Sequence, residues 1–264
     1  MNTVNCVSQI NKMIEVFLLS IIQGITEFLP VSSSSHLIIL SEYLAFDNQS
    51  LAIDVSLHVG SFFAVITYFA KDVLNFIKNK ELFLKIVVSS IPVMIVGYLL
   101  VTLDLINYLR NIEIIGWTTI VFGIVLYFSD RYDQVKNINE DFNYKSAIII
   151  GVFQILSLVP GVSRSGITIS LARILKFDRF ESAKISFLLS IPTLAAVSIF
   201  GFKNIAFSSN FDFSIINLVA VLLSFFTSYL TIKYFLIYIQ KFSLKIFVIY
   251  RIILGSVLLL FAYL

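Results

Sequence analysis

The stretch QGITEFLPVSSSSH, residues 23–36, governs how the whole chain is interpreted. It places a carboxylate, a proline, four consecutive serines and a histidine inside a sequence that is otherwise almost continuously apolar. Polar side chains at this density are costly in hydrocarbon, where they are usually paired or functional. The stretch therefore predicts a functional site within an apolar protein.

The composition of the chain is that of an integral membrane protein. Of its 264 residues, 58% are hydrophobic and 13% are charged, and the mean hydropathy is +0.94. Several apolar runs without period-2 alternation approach the roughly 20 residues that a helix needs to cross a bilayer. We therefore expect one all-α polytopic membrane domain over residues 1–264, with no nucleic-acid partner. The runs are 55–70, 86–103, 114–129, 146–163, 185–202 and 213–232.

Two shorter apolar pieces, 14–26 and 37–46, flank a polar break at 30–35. Neither piece is long enough to span, so together they predict a re-entrant helix hairpin. Such backbone is tolerated at membrane depth where it is buried in protein or lines a cavity. A second break, PGVSRSGIT at 160–168, predicts a second hairpin of the same kind.

The two hairpins are related by an internal repeat. Interrupted apolar segments at corresponding positions of two halves are typical of transporter-like folds with a midplane site. We expect repeat 1 over about 14–129 and repeat 2 over about 144–264, joined by the polar loop 130–145. With about six transmembrane helices, each half has three, so the second copy is inverted. A shift of 131 positions lays Gln23 on Gln154, Val31 on Val162, Ser32 on Ser163 and Ser34 on Ser165.

The basic residues are distributed unevenly over the two sides of this topology. Fifteen of the 19 Lys and Arg residues fall on one side, Arg251 just inside it among them, whereas Lys12, Arg110 and Lys203 fall on the other. The positive-inside rule makes the first side cytoplasmic. The first hairpin and both termini are then expected to face outward.

The chemistry is concentrated in the two breaks. Gln23 and Glu27 are four residues apart and share one helix face. The serines are candidate nucleophiles, and His36 is a candidate for proton transfer. Arg164 suits a phosphate, and Gly161 lets the backbone approach an anion near a helix N-terminus. The set favours phosphoryl transfer, in which positioning and charge neutralisation dominate.

Simpler readings of the same residues stay open. Glu27 and Arg164 can form a buried ion pair that ties the two repeats together. Any one of the serines can instead bond to a neighbouring backbone group. His58, on an apolar helix, is either a packed histidine or a member of the site.

The chain resembles the undecaprenyl-diphosphate phosphatase family, the bacitracin-resistance type of membrane phosphatase. The resemblance covers nearly the full length and includes the two long motifs QGITEFLPVSSSSH and FQILSLVPGVSRSGIT. It implies a hydrolase of the bacterial inner membrane that releases the terminal phosphate of undecaprenyl diphosphate and so gives the monophosphate carrier lipid of cell-wall synthesis. It further implies an active site facing the periplasm, a divalent metal such as Mg²⁺ or Ca²⁺, and a homodimer.

The resemblance also implies roles for individual residues. Glu27 matches an acid of the motif and is the expected metal ligand, Ser33 matches the nucleophile, His36 the histidine, and Arg164 the diphosphate-binding arginine. Gln23 stands where the family commonly has a first acid, which leaves Glu27 as the sole carboxylate of the site. Ser35 replaces a common glycine. The expected substrate-binding residues are Gln23, Ser32, Ser34, Gly161, Ser163, Ser165 and Thr168.

A different class of protein fits the same fold. Inverted repeats with a midplane site are equally natural for a secondary transporter or a flippase of an anionic prenyl phosphate lipid. Fold alone does not choose between transport and hydrolysis.

Overall fold

The structure, a computed structural model, describes residues 2–43, 50–76, 80–131, 135–206 and 215–264. Within these ranges the chain is helical, as predicted. The helices are α1 (Asn2–Thr26), α2 (Ser33–Tyr43), α3 (Leu51–Tyr68), α4 (Ala70–Asn75), α5 (Lys80–Thr102), α6 (Ile112–Ser129), α7 (Ile138–Asp141), α8 (Tyr144–Gln154), α9 (Arg164–Ile174), α10 (Arg179–Ala206), α11 (Ile215–Lys241) and α12 (Lys245–Tyr263).

Six of the described helices, α3, α5, α6, α10, α11 and α12, are long and apolar enough to cross a membrane. This confirms the prediction of a multi-pass, all-α membrane protein. Polar residues cap several helices at their N-termini. The first backbone N–H groups of a helix have no partner within the helix, and a capping side chain accepts a hydrogen bond from one of them. Asn111 and Asn143 cap α6 and α8 in this way, by accepting from Glu113 N and Ser146 N.

The apolar run 146–163 does not form one spanning helix. Helix α8 ends at Gln154, a 3₁₀ turn covers Ile155–Leu158, and a new helix, α9, begins at Arg164. The chain before α8 pairs with the chain after α9, since Lys136 N donates to Lys176 O and Asp178 N donates to Lys136 O. The second hairpin thus leaves the bundle at the end where it entered, which is consistent with a re-entrant hairpin.

The first hairpin has the same plan, α1, a break and α2. Helix α1 is longer than the predicted piece 14–26, and the end of the predicted arm 37–46 lies outside the described residues. The residue that precedes the second helix has a left-handed backbone in both hairpins, with φ of 78° at Ser32 and 70° at Ser163. These two serines are 131 positions apart, the offset of the predicted repeat.

The packing of the helices agrees with the repeat, which itself stays a prediction. Helices α3 and α10 pack together, as do α6 and α12, and each of these pairs joins helices that the repeat makes equivalent. Helix α1 packs on α11 just as α8 packs on α5. The two hairpins are therefore each held against a spanning helix of the opposite half.

Asp130, which follows α6 directly, connects several helices at one end of the bundle. Its Oδ1 lies 2.7 Å from Arg179 Nε and 3.2 Å from Arg173 Nη2. Its Oδ2 accepts from the backbone N–H of Leu244, just before α12. The Asp130 side chain is only 10% exposed, so the charges are paired with little help from water. This carboxylate joins the ends of four helices, α6, α9, α10 and α12.

Replacing Asp130 by Ala is expected to destabilise the bundle strongly. Removing one partner of a buried ion pair leaves the other charge uncompensated, at a cost of about 3–5 kcal/mol. Glu81→Ala is the matched control, because its ion pair with Lys85 lies on one helix and Glu81 is 66% exposed. Such a pair contributes about 0.5 kcal/mol. Thermal unfolding in detergent should show a much lower midpoint for Asp130→Ala alone, and equal midpoints would contradict the role of Asp130.

Candidate active site

The tips of the two hairpins touch each other. The N–H of Gly161 donates to Ser32 Oγ at 3.3 Å, and Ser165 Oγ donates to the carbonyl of Leu29 at 2.7 Å. Each bond joins a residue of one predicted repeat to a residue of the other. The two breaks, far apart in sequence, therefore form one polar region surrounded by apolar helices.

Glu27 is the centre of this region. Its Oε2 accepts hydrogen bonds from the Ser33 hydroxyl at 2.8 Å and from Gln23 Nε2 at 3.0 Å. Its Oε1 accepts from Arg164 Nη2 at 2.6 Å, so the predicted contact between the two hairpins is present. Three of the predicted site residues thus converge on one carboxylate.

The groups around Glu27 differ in how far they are accessible. Gln23 is fully buried, and its side-chain amide holds the carboxylate of Glu27 by a hydrogen bond. The Arg164 side chain keeps 13% exposure, and its Nη1 also donates to the carbonyl of Ser186. Ser33 is half-buried. The hydroxyl and the guanidinium can therefore be reached by a ligand, whereas the amide of Gln23 cannot.

Two helix N-termini converge on the same region. Helix α2 begins at Ser33 and α9 begins at Arg164, and each follows a left-handed serine. Ser163 caps α9, since its Oγ accepts from the N–H of Gly166 at 3.1 Å. The first N–H groups of a helix have no partner within the helix and carry the positive end of its dipole. Both termini thus favour an anion at the tips.

His36 lies beside this centre, and its ring nitrogens are engaged elsewhere. Nδ1 contacts the carbonyl of Ser32 at 2.6 Å, and Nε2 contacts the hydroxyl of Tyr250 at 2.5 Å. A carbonyl can only accept, so Nδ1 carries a proton and donates it to Ser32, while Nε2 shares a hydrogen bond with the Tyr250 hydroxyl. The structure therefore does not bring a free nitrogen of His36 to Ser33.

His58 forms a hydrogen bond within its own helix, since its Nδ1 donates to the carbonyl of Asp54 at 2.8 Å. This bond agrees with the reading of a packed histidine. Membership of the site stays the alternative reading.

Several predicted substrate-binding residues instead hold the tips together. Ser32, Ser163, Ser165 and Thr168 are buried, and Thr168 donates to Ser186 Oγ. The Ser34 side chain is exposed, and its Oγ lies 3.3 Å from Ser32 Oγ.

Gly161 likewise packs closely against α6. Its φ is +93°, and a Cβ there would lie 2.0 Å from Thr118 Oγ1. Its N–H already donates to Ser32. Close packing on α6 thus requires the glycine, and substrate binding by Gly161 stays a prediction.

The donor set does not fit a preformed metal site. Among the residues that the structure describes, no group of three His, Cys, Asp or Glu side chains lies together. Both oxygens of Glu27 accept hydrogen bonds from protein donors. A Mg²⁺ site built by protein needs more oxygen ligands than this single carboxylate offers.

Sequence reasoning gave no site role to Tyr250 or Arg251. The charge count placed Arg251 just inside the cytoplasmic side, and its guanidinium reaches the hairpin tips, where it donates to the carbonyls of Pro30 and Gly161. The available signal was a charged residue inside an apolar run, which marks functional positions in membrane helices.

Comparison with known proteins gives one consistent family. The family model described as bacitracin resistance protein BacA matches residues 16–257. An undecaprenyl-diphosphatase of Pelagibacter ubique (strain HTCC1062) is 48% identical over 254 residues, which is 96% of this chain and 99% of the relative. Undecaprenyl-diphosphatases of Saccharophagus degradans and Jannaschia sp. are 40% and 38% identical, over 90% and 94% of this chain and 94% and 98% of their own lengths. The chain therefore belongs to the bacitracin resistance protein BacA family.

Proposed function

We propose that this protein is a membrane hydrolase that removes the terminal phosphate of undecaprenyl diphosphate. The product, undecaprenyl phosphate, is the carrier lipid for cell-wall polymers. One contact carries the proposal: the Ser33 hydroxyl donates to Glu27 at 2.8 Å, beside an arginine that a ligand can reach. The names of the relatives supply the substrate.

In the proposed reaction Ser33 is the nucleophile and Glu27 is its base. Glu27 takes the hydroxyl proton as Ser33 Oγ bonds to the terminal phosphorus, and the bond from that phosphorus to the bridging oxygen breaks. Undecaprenyl phosphate leaves with the bridging oxygen. The oxygen of a water molecule then bonds to the phosphorus of the phosphoserine as the bond to Ser33 Oγ breaks. Glu27 returns its proton to Oγ, and the protons of the water leave with inorganic phosphate. A positioned base of this kind typically contributes about 10²–10⁴-fold to the rate.

Arg164 and the two helix N-termini bind the diphosphate in this proposal. The guanidinium has donors beyond those that it gives to Glu27 and Ser186, and its planar fork matches phosphate oxygens. The first-turn N–H groups of α2 and α9 add fixed dipoles at the place where charge is redistributed in phosphoryl transfer. No step needs His36 to contact Ser33.

The setting of the reaction is also proposed. The distribution of basic residues supports a cytoplasmic membrane with the site opening outward. The prenyl chain would lie between helices in the lipid, where apolar length suffices for affinity. A divalent metal and a homodimer are predictions from the family resemblance alone, and the mechanism above uses neither.

Phosphate release by the purified protein tests the activity. In detergent with a prenyl diphosphate and Mg²⁺, we expect wild-type release and a loss of about 10²–10³-fold in kcat for Ser33→Ala, Glu27→Gln and Arg164→Ala. Ser256→Ala, a serine on the lipid-exposed side of α12, is the matched control and should keep wild-type activity.

The outcomes separate the rival readings. Wild-type release no higher than that of Arg164→Ala would overturn the phosphatase and favour the transporter or flippase. A Ser33→Ala variant that keeps most of its activity would instead assign the attack to water, with Glu27 as its base.

The orientation is tested by labelling cysteines from outside the cell. Two highly exposed positions lie on opposite sides of the proposed topology, Tyr108 at 78% and Val135 at 89% exposure. In a Cys6→Ser background, a membrane-impermeant maleimide should label Tyr108→Cys in intact cells. It should label Val135→Cys only after permeabilisation, and the reverse pattern would place the site on the cytoplasmic side.

A further inference from the structure

Arg251 is buried completely, although it carries a full charge. Its relative exposure is 0%, and it is the largest of the fully buried side chains among the described residues. Within the part of the chain that the structure describes, none of the ion pairs includes Arg251. An unpaired charge at membrane depth is costly and is kept where it has a function.

Four backbone carbonyls take the place of a carboxylate. Arg251 Nη1 donates to Pro30 O at 3.2 Å, and Nη2 donates to Gly161 O at 2.6 Å and to Val162 O at 3.1 Å. Nε donates to Thr119 O at 3.2 Å. One rigid guanidinium thus bridges the first hairpin, the second hairpin and α6.

These carbonyls lie close to the reacting groups in sequence. Pro30 is between Glu27 and Ser33, whereas Gly161 and Val162 come just before Arg164. The planar fork fixes the distance between its two Nη atoms, and hence the relative placement of the two tips. Arg251 therefore sets how the Ser33–Glu27 pair meets Arg164.

The surrounding residues leave room for this side chain and little more. A Cβ at Gly123 would lie 3.1 Å from Arg251 Cβ, and a Cβ at Gly166 would lie 3.2 Å from Arg251 Nη1. Glycines therefore line the side chain both near its base and at its fork. The guanidinium is held by packing as well as by hydrogen bonds.

We propose that Arg251 is a positioning residue, which holds the tips of the two hairpins in the register that the reaction requires. It does not touch the substrate, because it has no exposed surface. The inference rests on the proposed function, since its readout is the hydrolysis of a prenyl diphosphate. A misplacement of about 1 Å between reacting groups can cost about 100-fold in rate.

The test compares Arg251→Met and Arg251→Lys with wild type at saturating and limiting substrate. We expect Arg251→Met to lower kcat by about 100-fold while KM changes by less than about threefold. Arg251→Lys keeps a charge with three donors but lacks the fork, so it should recover only part of kcat, to about 10-fold below wild type. Lys245→Met is the matched control, because it removes an exposed charge from the start of the same helix.

A second measurement separates positioning from a general loss of structure. Glu27→Gln should lower kcat by over about 100-fold in the wild-type background but by less than about 10-fold in the Arg251→Lys background. In that background Glu27 is misplaced and already contributes less to the rate. Rates are expressed per folded molecule, with folding followed by thermal unfolding in detergent. A purely structural role predicts an unchanged kcat per folded molecule and effects that multiply.

Each outcome has one meaning. Wild-type kcat in folded Arg251→Lys together with multiplying effects would overturn the positioning role and leave the proposed function intact. Absence of phosphate release from the wild type would instead overturn the proposed function. If Arg251→Met does not fold, Arg251→Lys with the Glu27→Gln combination still decides the question.

Discussion

The structure depends on satisfying backbone polar groups at membrane depth. A broken helix exposes carbonyl and N–H groups that no water can reach, and each would cost several kcal/mol if it were left alone. Here the two breaks satisfy each other through Ser32 and Ser165, and Arg251 takes up three further carbonyls of the tips. The polar groups that satisfy the backbone at the two breaks are therefore the same groups that surround Glu27 and form the site.

The symmetry of the backbone is broken by its side chains, and function follows from the difference. Ser33 and Arg164 are 131 positions apart and each is the first residue of its helix. The same offset lays Glu27 on Leu158, so one half has the carboxylate and the other has an apolar residue. Two corresponding helix starts thus carry the proposed nucleophile and the proposed anion-binding cation, and both donate hydrogen bonds to Glu27. A perfectly symmetric pair would have supplied two copies of one group.

Several features of the fold and of the site were predictable from the sequence, because they depend on the spacing of nearby residues or on the hydropathy of whole segments. The i, i+4 spacing predicted that Gln23 and Glu27 would meet, and they do. The length and polarity of the apolar runs predicted five of the six spanning helices, α3, α5, α6, α10 and α11, whereas the run 146–163 is broken and α12 was not among the runs. The ion pair between Glu27 and Arg164 was one of the readings that the sequence left open, since charges in a membrane are usually paired, and it is present.

The remaining details depend on three-dimensional packing. The partner of His36 is Tyr250, 214 residues away, and no periodicity connects them. Thr168 and Ser165 have the composition of a binding site but face the interior, where neighbouring backbone and hydroxyl groups take their bonds. Arg251 was counted with the cytoplasmic charges, just inside that side, whereas its backbone lies six residues after Lys245 in α12 and its guanidinium contacts the hairpin tips.

The contact between Pro30 and Arg251 has a consequence for biogenesis, since it joins residues 221 positions apart. A membrane protein is inserted from its N-terminus as it is synthesised. The first hairpin is thus made long before the arginine that satisfies its carbonyl, and the second hairpin also waits for α12. The centre is completed only once α12 has been made, so a chain that stops before α12 would insert without assembling the site.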